Sequence, residues 1–174
     1  MNAAYENLLT RRSCRNYDGR QIKDEELDAI LKAGVFAPTG MGLQSPKMVV
    51  LQKPEDVAAY QKLNAKVRGD ENAQTFYGAP TVIIVFGDKN SEFCLDDANL
   101  VIANLLNAAN ALGVDSCYIW RARQVFESEE GKKLMKRWGV EDNYRGVGNV
   151  ILGYGVEGGT RIPKERKADY IIKV

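Results

Sequence analysis

The stretch Thr81-Val82-Ile83-Ile84-Val85-Phe86 is almost entirely apolar and rich in β-branched side chains. β-Branched residues favour strands, and the lack of apolar-polar alternation indicates burial on both faces. It therefore predicts the central strand of a sheet. Three further strands are predicted, over residues 48–51, 116–120 and 147–152.

Helical spacing of apolar residues surrounds these strands. The longest predicted helix runs from Asp96 to Leu112, with an apolar face that includes Leu95 and Leu112. Additional alanines widen this face, so the helix suits either a helix-helix dimer contact or a monomeric core. Ser128 predicts the cap of another helix, which continues to Trp138. Further helices are predicted over residues 3–11, 24–37 and 54–67, with Leu8 and Leu9 on the inner side of the first.

Composition and net charge limit the classes of function that are expected. The chain has 174 residues, a formal net charge of +1 and no histidine. This charge does not favour a nucleic-acid binder, and no apolar run is long enough to span a bilayer. Without histidine or a Cys-x-x-Cys pair, a metal site is not expected, and an enzyme would depend on a cofactor. Three widely spaced cysteines indicate free thiols in a reducing cytoplasm.

The stretch Arg11-Arg12-Ser13-Cys14-Arg15 places three guanidinium groups and a hydroxyl within five residues. Arginine presents a planar fork of donors that matches a phosphate or carboxylate edge. The cluster is equally typical of a solvated basic patch at a helix end. A second basic cluster, 164–167, lies near the other end of the chain. If the two ends meet, they would build one anion site.

Two glycine-containing stretches remain. In residues 39–46 the glycines allow close backbone approach, which suits a ligand site or an ordinary helix-to-strand loop. Residues 153–158 fit G-x-G-x-x-G and follow a predicted strand. A dinucleotide-binding unit would need a helix and another strand after this motif. Only 16 residues remain, so we interpret the motif as a turn.

Several motifs, in this order, resemble those of the nitroreductase family of FMN-dependent NAD(P)H oxidoreductases. Residues 11–15 are similar to R-x-S-x-R/K, and residues 37–44 to A-P-S-x-x-N-x-Q. Tyr77-Gly78-Ala79-Pro80 before an apolar strand and residues 111–119 after a long helix are also typical. The resemblance, completed by residues 152–154 and 163–166, covers essentially the whole length.

The resemblance implies a single nitroreductase-like FMN-binding domain over residues 1–174. The implied fold is α+β, with a mixed, mostly antiparallel sheet flanked by helices in an intertwined homodimer. FMN would lie at the subunit interface, and the long helix would form the dimer core. NADH or NADPH would reduce FMN, and a small nitroaromatic, quinone or similar acceptor would then be reduced in a ping-pong mechanism. Alternatives are a flavin-binding sensor or carrier, a flavin reductase, or a reductive dehalogenase-like relative.

The resemblance also assigns site residues, all of them for binding because the flavin carries the chemistry. The expected phosphate site contains Arg11, Arg12, Ser13, Lys164 and Arg166. Arg15 would lie nearer the ribityl chain and the pyrimidine edge of the ring. The remaining expected flavin contacts are a loop that reaches the ring from the other subunit (Pro38, Thr39, Gly40, Met41 and Gln44), a ring contact at Asn72, and the ring-lining residues Tyr118, Ile119 and Trp120.

Three positions depart from the family pattern. Gly42 stands where many members have Asn, and Ser45-Pro46 follows Gln44 in place of Pro-Trp. The region of Trp120 carries an acid or glycine in other members. Since the chain is also short for the family, its pocket is expected to be open or covered by Tyr118, Trp120 and residues 121–127. Cys14 and Cys117 are expected to be inert core thiols, and the alternative of a redox role favours Cys14 because it lies between basic residues.

Overall fold

The computed structural model describes residues 2–174, and Met1, where the predicted domain begins, lies outside them. The strands are β1 (Lys47–Leu51), β2 (Thr81–Asp88), β3 (Asp115–Ile119) and β4 (Tyr144–Gly153). Short 3-10 turns occupy Gly40–Gly42 and Ala168–Tyr170. The architecture confirms the predicted α+β class. The helices are α1 (Ala3–Thr10), α2 (Asp24–Val35), α3 (Pro54–Arg68), α4 (Cys94–Ala111), α5 (Ala122–Glu127) and α6 (Glu129–Arg137).

The four strands form one sheet in the order β1-β2-β4-β3, and each neighbouring pair is antiparallel. Ile83 of β2 lies opposite Val150 of β4, so the predicted central strand is confirmed. An isolated parallel bridge joins Ser13 to Ser116 beside β3. This bridge brings the N-terminal arginine-rich segment to the edge of the sheet.

Strand β2 contributes to the core on both sides of the sheet because successive side chains point to opposite faces. Val82, Ile84 and Phe86 join a core cluster with residues of α3, α5 and α6. Ile83 and Val85 join a second cluster, which is completed by α2 and α4. All five side chains are fully buried. Helices therefore cover both faces, as the sequence predicted.

Two sequence predictions about helices need correction. Leu8 and Leu9 are 60% and 51% exposed, so α1 does not turn them inward within this chain. Leu95 and Leu112, placed on the buried face of the long helix, are likewise exposed. Leu95 is the second residue of α4 and Leu112 its C-cap, so both lie at the ends of the helix.

Helix α5 was not predicted, because residues 121–127 were expected only as a cover of the pocket. Its first residue, Ala122, and its last apolar residues, Val125 and Phe126, are buried against β4 and α6. Six residues give too few turns for a clear helical period, so tertiary packing determines this helix. The predicted cap at Ser128 is confirmed, since its hydroxyl accepts a hydrogen bond from the Gly131 backbone N–H of α6.

Within residues 2–174, no helix is both long and apolar enough to cross a membrane.

Candidate functional site

The arginine-rich segment is fixed between β3 and the chain that returns after β4. The Cys14 N–H donates to the Ser116 carbonyl over 3.0 Å, and the Arg15 N–H donates to the Gly159 carbonyl over 2.7 Å. Backbone bonds on both sides hold the segment in an extended form, which places alternate side chains on opposite sides. Cys14 is fully buried while Arg15 is exposed.

Arg12 has a local role within the chain. Its Nη1 donates to the Leu9 carbonyl over 2.7 Å and to the Arg11 carbonyl over 2.8 Å. Carbonyl groups at a helix C-terminus lack intrahelical partners and carry partial negative charge, so a guanidinium stabilises the end of α1. For Arg12, the helix-end alternative therefore describes the contacts seen here.

A cavity of about 300 Å³ opens beside this segment, at the end of β3. It brings together four residues that the sequence analysis placed near the flavin: Arg15, Tyr118, Ile119 and Trp120. Arg68 and Thr75 also line it, and neither was predicted from the sequence. Of the other lining residues, Arg121 belongs to the predicted covering stretch, and Tyr77 and Cys117 lie in motifs to which no flavin contact was assigned. We call it the arginine cavity, and it is lined by Arg15, Arg68, Thr75, Tyr77, Cys117, Tyr118, Ile119, Trp120 and Arg121.

The charge of the arginine cavity is one-sided. Among residues 2–174, those that line it include three guanidinium groups and no carboxylate. The arginines that form ion pairs among the described residues are others, namely Arg20, Arg123 and Arg137. Burial raises the pKa of the Cys117 thiol, although the positive charge of Arg15 and Arg11 opposes this shift. The cavity therefore favours anions but leaves this thiol protonated.

Thr75 marks a position where a ligand could bond. Its side chain is only 5% exposed, and its Oγ1 has no hydrogen-bond partner within the described chain. A buried hydroxyl without a partner is unfavourable by about 1–3 kcal/mol. Because Thr75 lines the arginine cavity, a ligand or water there would satisfy it.

A buried polar network positions the wall of the arginine cavity. Asn149 Nδ2 donates to the Ile119 carbonyl over 3.0 Å, with a longer contact to the Trp120 carbonyl. Asn64 Nδ2 donates to the same Trp120 carbonyl over 3.1 Å. Both asparagine side chains are fully buried. The end of β3 is therefore held from α3 and from β4 by side chains that contact no solvent.

Arg121 follows this anchored segment in a left-handed backbone conformation, with φ 80° and ψ 5°. This conformation costs a non-glycine residue about 1 kcal/mol. The network fixes Trp120 before it, and Ala122 after it is fully buried at the start of α5. The Arg121 guanidinium carbon lies 5.4 Å from the centroid of the Trp120 ring, and Trp120 is 57% exposed. Of the residues predicted to cover the pocket, Trp120 and Arg121 line the arginine cavity, and residues 122–127 form α5.

The loop predicted to reach the flavin, Pro38–Gln44, lies away from the arginine cavity of its own chain. The Gly40 N–H donates to Oδ1 of the buried Asp97 over 2.8 Å, and the Gln44 N–H donates to Oγ1 of Thr39 over 3.1 Å. A Cβ on Gly40 would lie 2.2 Å from the Phe93 ring, so only glycine fits. Met41 is 85% exposed at the tip. Within one chain, this loop shares no lining residue with the arginine cavity.

Six other predicted contacts also lie outside the lining of the arginine cavity, and three of them, Arg11, Arg12 and Ser13, directly precede the segment that reaches it. Asn72 is exposed in the loop after α3, and its backbone N–H bonds Oδ1 of Asp70. Lys164 and Arg166 lie in an exposed extended tail. The two ends of the chain do meet, through bridges from Cys14 to Thr160 and from Tyr17 to Gly155, but the meeting stops short of the second basic cluster.

The chain was compared with known proteins. The model of the nitroreductase family matches residues 8–154. A relative from Archaeoglobus fulgidus, provisionally named NADH dehydrogenase/NAD(P)H nitroreductase, is 31% identical over 169 residues, which cover 94% of this chain and 87% of the relative. The chain therefore belongs to the nitroreductase family, and the resemblance stated from its motifs is confirmed.

Two solved structures have the same fold over the full chain. A nitroreductase with bound FMN from Bacteroides fragilis NCTC 9343 is 29% identical, with a TM-score of 0.92 and 100% of each chain covered. A nitroreductase with bound FMN from Desulfitobacterium hafniense DCB-2 is 26% identical, with a TM-score of 0.88, and the match covers 100% of this chain and 99% of that one.

Proposed function

We propose that this protein is an FMN-dependent NAD(P)H oxidoreductase that reduces small acceptors such as nitroaromatics or quinones. The observation that carries the proposal is the arginine cavity, which lies beside the family's first motif and is lined by the segment expected at the ring. Family membership and FMN-bound neighbours at up to 29% identity support the cofactor. Reductant and acceptor would use the same site in turn, in ping-pong order.

The residues of the arginine cavity fit a flavin. The pyrimidine edge of the ring presents carbonyl oxygens and an N–H, which suit the guanidinium of Arg15 and the unpaired hydroxyl of Thr75. FMN supplies the hydride and electron chemistry when bound. The chain supplies positive charge and a hydrogen-bonding wall, while the Tyr118 ring packs over Gly148 on the other face of the sheet. The residues that line the arginine cavity are compatible with flavin chemistry, although the chain contains no histidine.

The proposal includes a homodimer, because several apolar surfaces of one chain lack a partner. The exposed Leu8 and Leu9 adjoin a groove of about 750 Å³ between α1 and α4. Strand β1 is paired on one side only, and the tail at residues 161–174 is exposed throughout. Ile171 is extended and 73% exposed. A second copy would cover these surfaces and bring its Pro38–Gln44 loop towards the flavin.

Two further parts of the proposal concern the chain as a whole. We place the protein in the cytoplasm, which three free cysteines support. We treat residues 1–174 as one FMN-binding domain, since both core clusters share the single sheet.

The proposal is tested by the visible spectrum of protein purified without added flavin, followed by NADH and then NADPH under argon. We expect a yellow protein that is bleached by at least one nucleotide and recovers its colour when a quinone or nitroaromatic is added. A yellow protein that neither nucleotide bleaches would support a sensor or carrier. A colourless protein that also fails to take up FMN would contradict the proposal. Sedimentation should give twice the chain mass, and a holo monomer would contradict the shared site.

A further inference from the structure

Residues Arg68 and Arg121 give the arginine cavity more positive charge than a flavin requires. Arg68 is the last residue of α3, and Arg121 is the N-cap of α5, so two separate elements direct cations to one cavity. Neither has a carboxylate within 4.0 Å among residues 2–174, where the arginine ion pairs involve other residues. A reduced flavin carries one negative charge on its pyrimidine edge, and Arg15 is available to balance it.

From this excess we propose that the acceptor of this enzyme carries an anionic group, such as a carboxylate, which Arg121 and Arg68 bind. The inference rests on the proposed function, since it names the substrate class of that same site. Like charges gathered in one cavity repel each other unless an anion joins them. A planar guanidinium binds a carboxylate with two parallel hydrogen bonds, so it also orients the acceptor.

The conformation of Arg121 supports a role beyond surface charge. A left-handed backbone favours glycine, yet arginine stands here with φ 80°. The buried amides of Asn64 and Asn149 bond the carbonyl of the preceding Trp120, and this anchoring keeps Arg121 in place. The Trp120 ring lies beneath its guanidinium at 5.4 Å, which holds the cation by a cation-π contact. The side chain is thereby positioned at the cavity before any ligand arrives.

The neutral part of the acceptor would meet a different surface. Trp120 is 57% exposed and lines the arginine cavity, whereas the Tyr118 ring packs over Gly148 on the other face of the sheet. An exposed aromatic ring beside guanidiniums that form no ion pair within residues 2–174 matches an aromatic acceptor that bears a carboxylate. A neutral ring of the same shape would gain the stacking but lose the charged contact. This contrast defines the experiment.

The test compares benzoate with benzamide, which have the same shape and differ in charge. Neither is reduced, so calorimetric titration into the holoenzyme measures binding without turnover. Flavin content and bleaching by NADH and NADPH are recorded on the same samples, which separates a failure of the proposed function from a failure of this inference. We expect benzoate to bind more tightly than benzamide, with a preference that falls as salt is raised.

The variants are Arg121→Gln, Arg121→Lys and the control Arg123→Gln, which lies two residues away and is paired with Glu127 outside the cavity. We expect Arg121→Gln to reduce the benzoate-to-benzamide affinity ratio about fivefold, while Arg121→Lys retains most of it. The control should leave the ratio unchanged. A holoenzyme that binds the two compounds equally would overturn the inference, as would a ratio that survives Arg121→Gln. A change confined to NADPH affinity would assign Arg121 to the nucleotide phosphate and overturn it as well.

Discussion

The Tyr60 hydroxyl donates a 2.7 Å hydrogen bond to Oδ1 of Asn149, and both side chains are completely buried. Burial raises the pKa of Tyr60, so its proton stays in place at every ordinary pH. The amide nitrogen of Asn149 then bonds the carbonyl that ends β3. One polar chain therefore links the aromatic core around Tyr60 to the wall of the arginine cavity.

Replacing Tyr60 with Phe removes the hydroxyl and leaves Asn149 Oδ1 buried without its donor. We expect the free energy of unfolding to fall by about 1–3 kcal/mol, which is the usual effect of an unsatisfied buried polar atom. Denaturant titration of the holoenzyme measures the change. Tyr170→Phe is the matched control, since that ring is 84% exposed and should have no effect. Equal stability of wild type and Tyr60→Phe would show that the bond contributes nothing.

The fold could be predicted where local pattern and tertiary packing agree. The run Val82–Phe86 is apolar throughout and is buried on both faces, and Ser128 caps α6 as the sequence predicted. Local pattern and packing disagree for Leu8 and Leu9. Their apolar character predicted an inner side of the helix, but both are exposed within one chain. Periodicity reports which face is apolar and does not report whether the covering surface belongs to the same chain.

The arginine cavity could be predicted only in part. Arg15 and Tyr118 belong to motifs that carry a family signal. Arg68, Thr75 and Arg121 belong to none, and only the folding of α3, β2 and β3 against each other brings them together. Asn64 and Asn149 were missed for the same reason, because a buried asparagine has no local signature. The positive φ of Arg121 could not be predicted either, because the residue at this position is not glycine.

Gly40→Ala tests the fit of the Pro38–Gln44 loop. Its new Cβ would lie 2.2 Å from the Phe93 ring, so the loop or the ring must move. We expect a loss of about 1–3 kcal/mol in unfolding free energy from overpacking, with weaker FMN retention in the dimer. A double-mutant cycle with Phe93→Ala provides the control, because the alanine should be tolerated better once the ring is gone. Additive effects of the two changes would contradict the contact.

The pair formed by Glu26 and Tyr154 predicts a dependence of stability on pH. The tyrosine hydroxyl donates to Oε2 of Glu26 over 2.5 Å, and this bond, with one from the Lys23 N–H, lowers the pKa of Glu26. The unfolded chain therefore binds this proton at a higher pH than the folded chain. The stabilisation is present above a pH of about 4.3 and is lost as pH falls through the lower, folded value.

We accordingly expect the wild type to lose more stability than Glu26→Gln as pH falls from about 6 to 3, the range that spans both states of the carboxyl group. Denaturant titrations at several pH values measure the two slopes. Glu25→Gln, on the exposed side of the same helical turn, serves as the control and should follow the wild type. Parallel curves for wild type and Glu26→Gln would contradict the assignment.

The cysteines predict a slow reaction with thiol reagents. All three are free and buried, and burial raises the pKa of each thiol. Because the thiolate is the reactive form, native protein near neutral pH should react with none at an appreciable rate, and unfolded protein should react with three. A colorimetric thiol titration with and without denaturant measures both numbers. Rapid labelling of native Cys14 would instead support the redox role considered for it.

The phosphate site is tested by removing one cation from each basic cluster. Arg11 is the C-cap of α1, and its guanidinium forms no ion pair within residues 2–174. Arg166 lies in the exposed tail. If both bind the FMN phosphate, Arg11→Ala combined with Arg166→Ala removes two charge-assisted contacts, and FMN affinity should fall about a hundredfold. Equilibrium dialysis of FMN measures this directly. The double variant Arg123→Ala and Arg137→Ala removes equal charge from arginines paired with acids elsewhere and should retain FMN. Unchanged flavin content in the first variant would show that the basic clusters do not form the phosphate site.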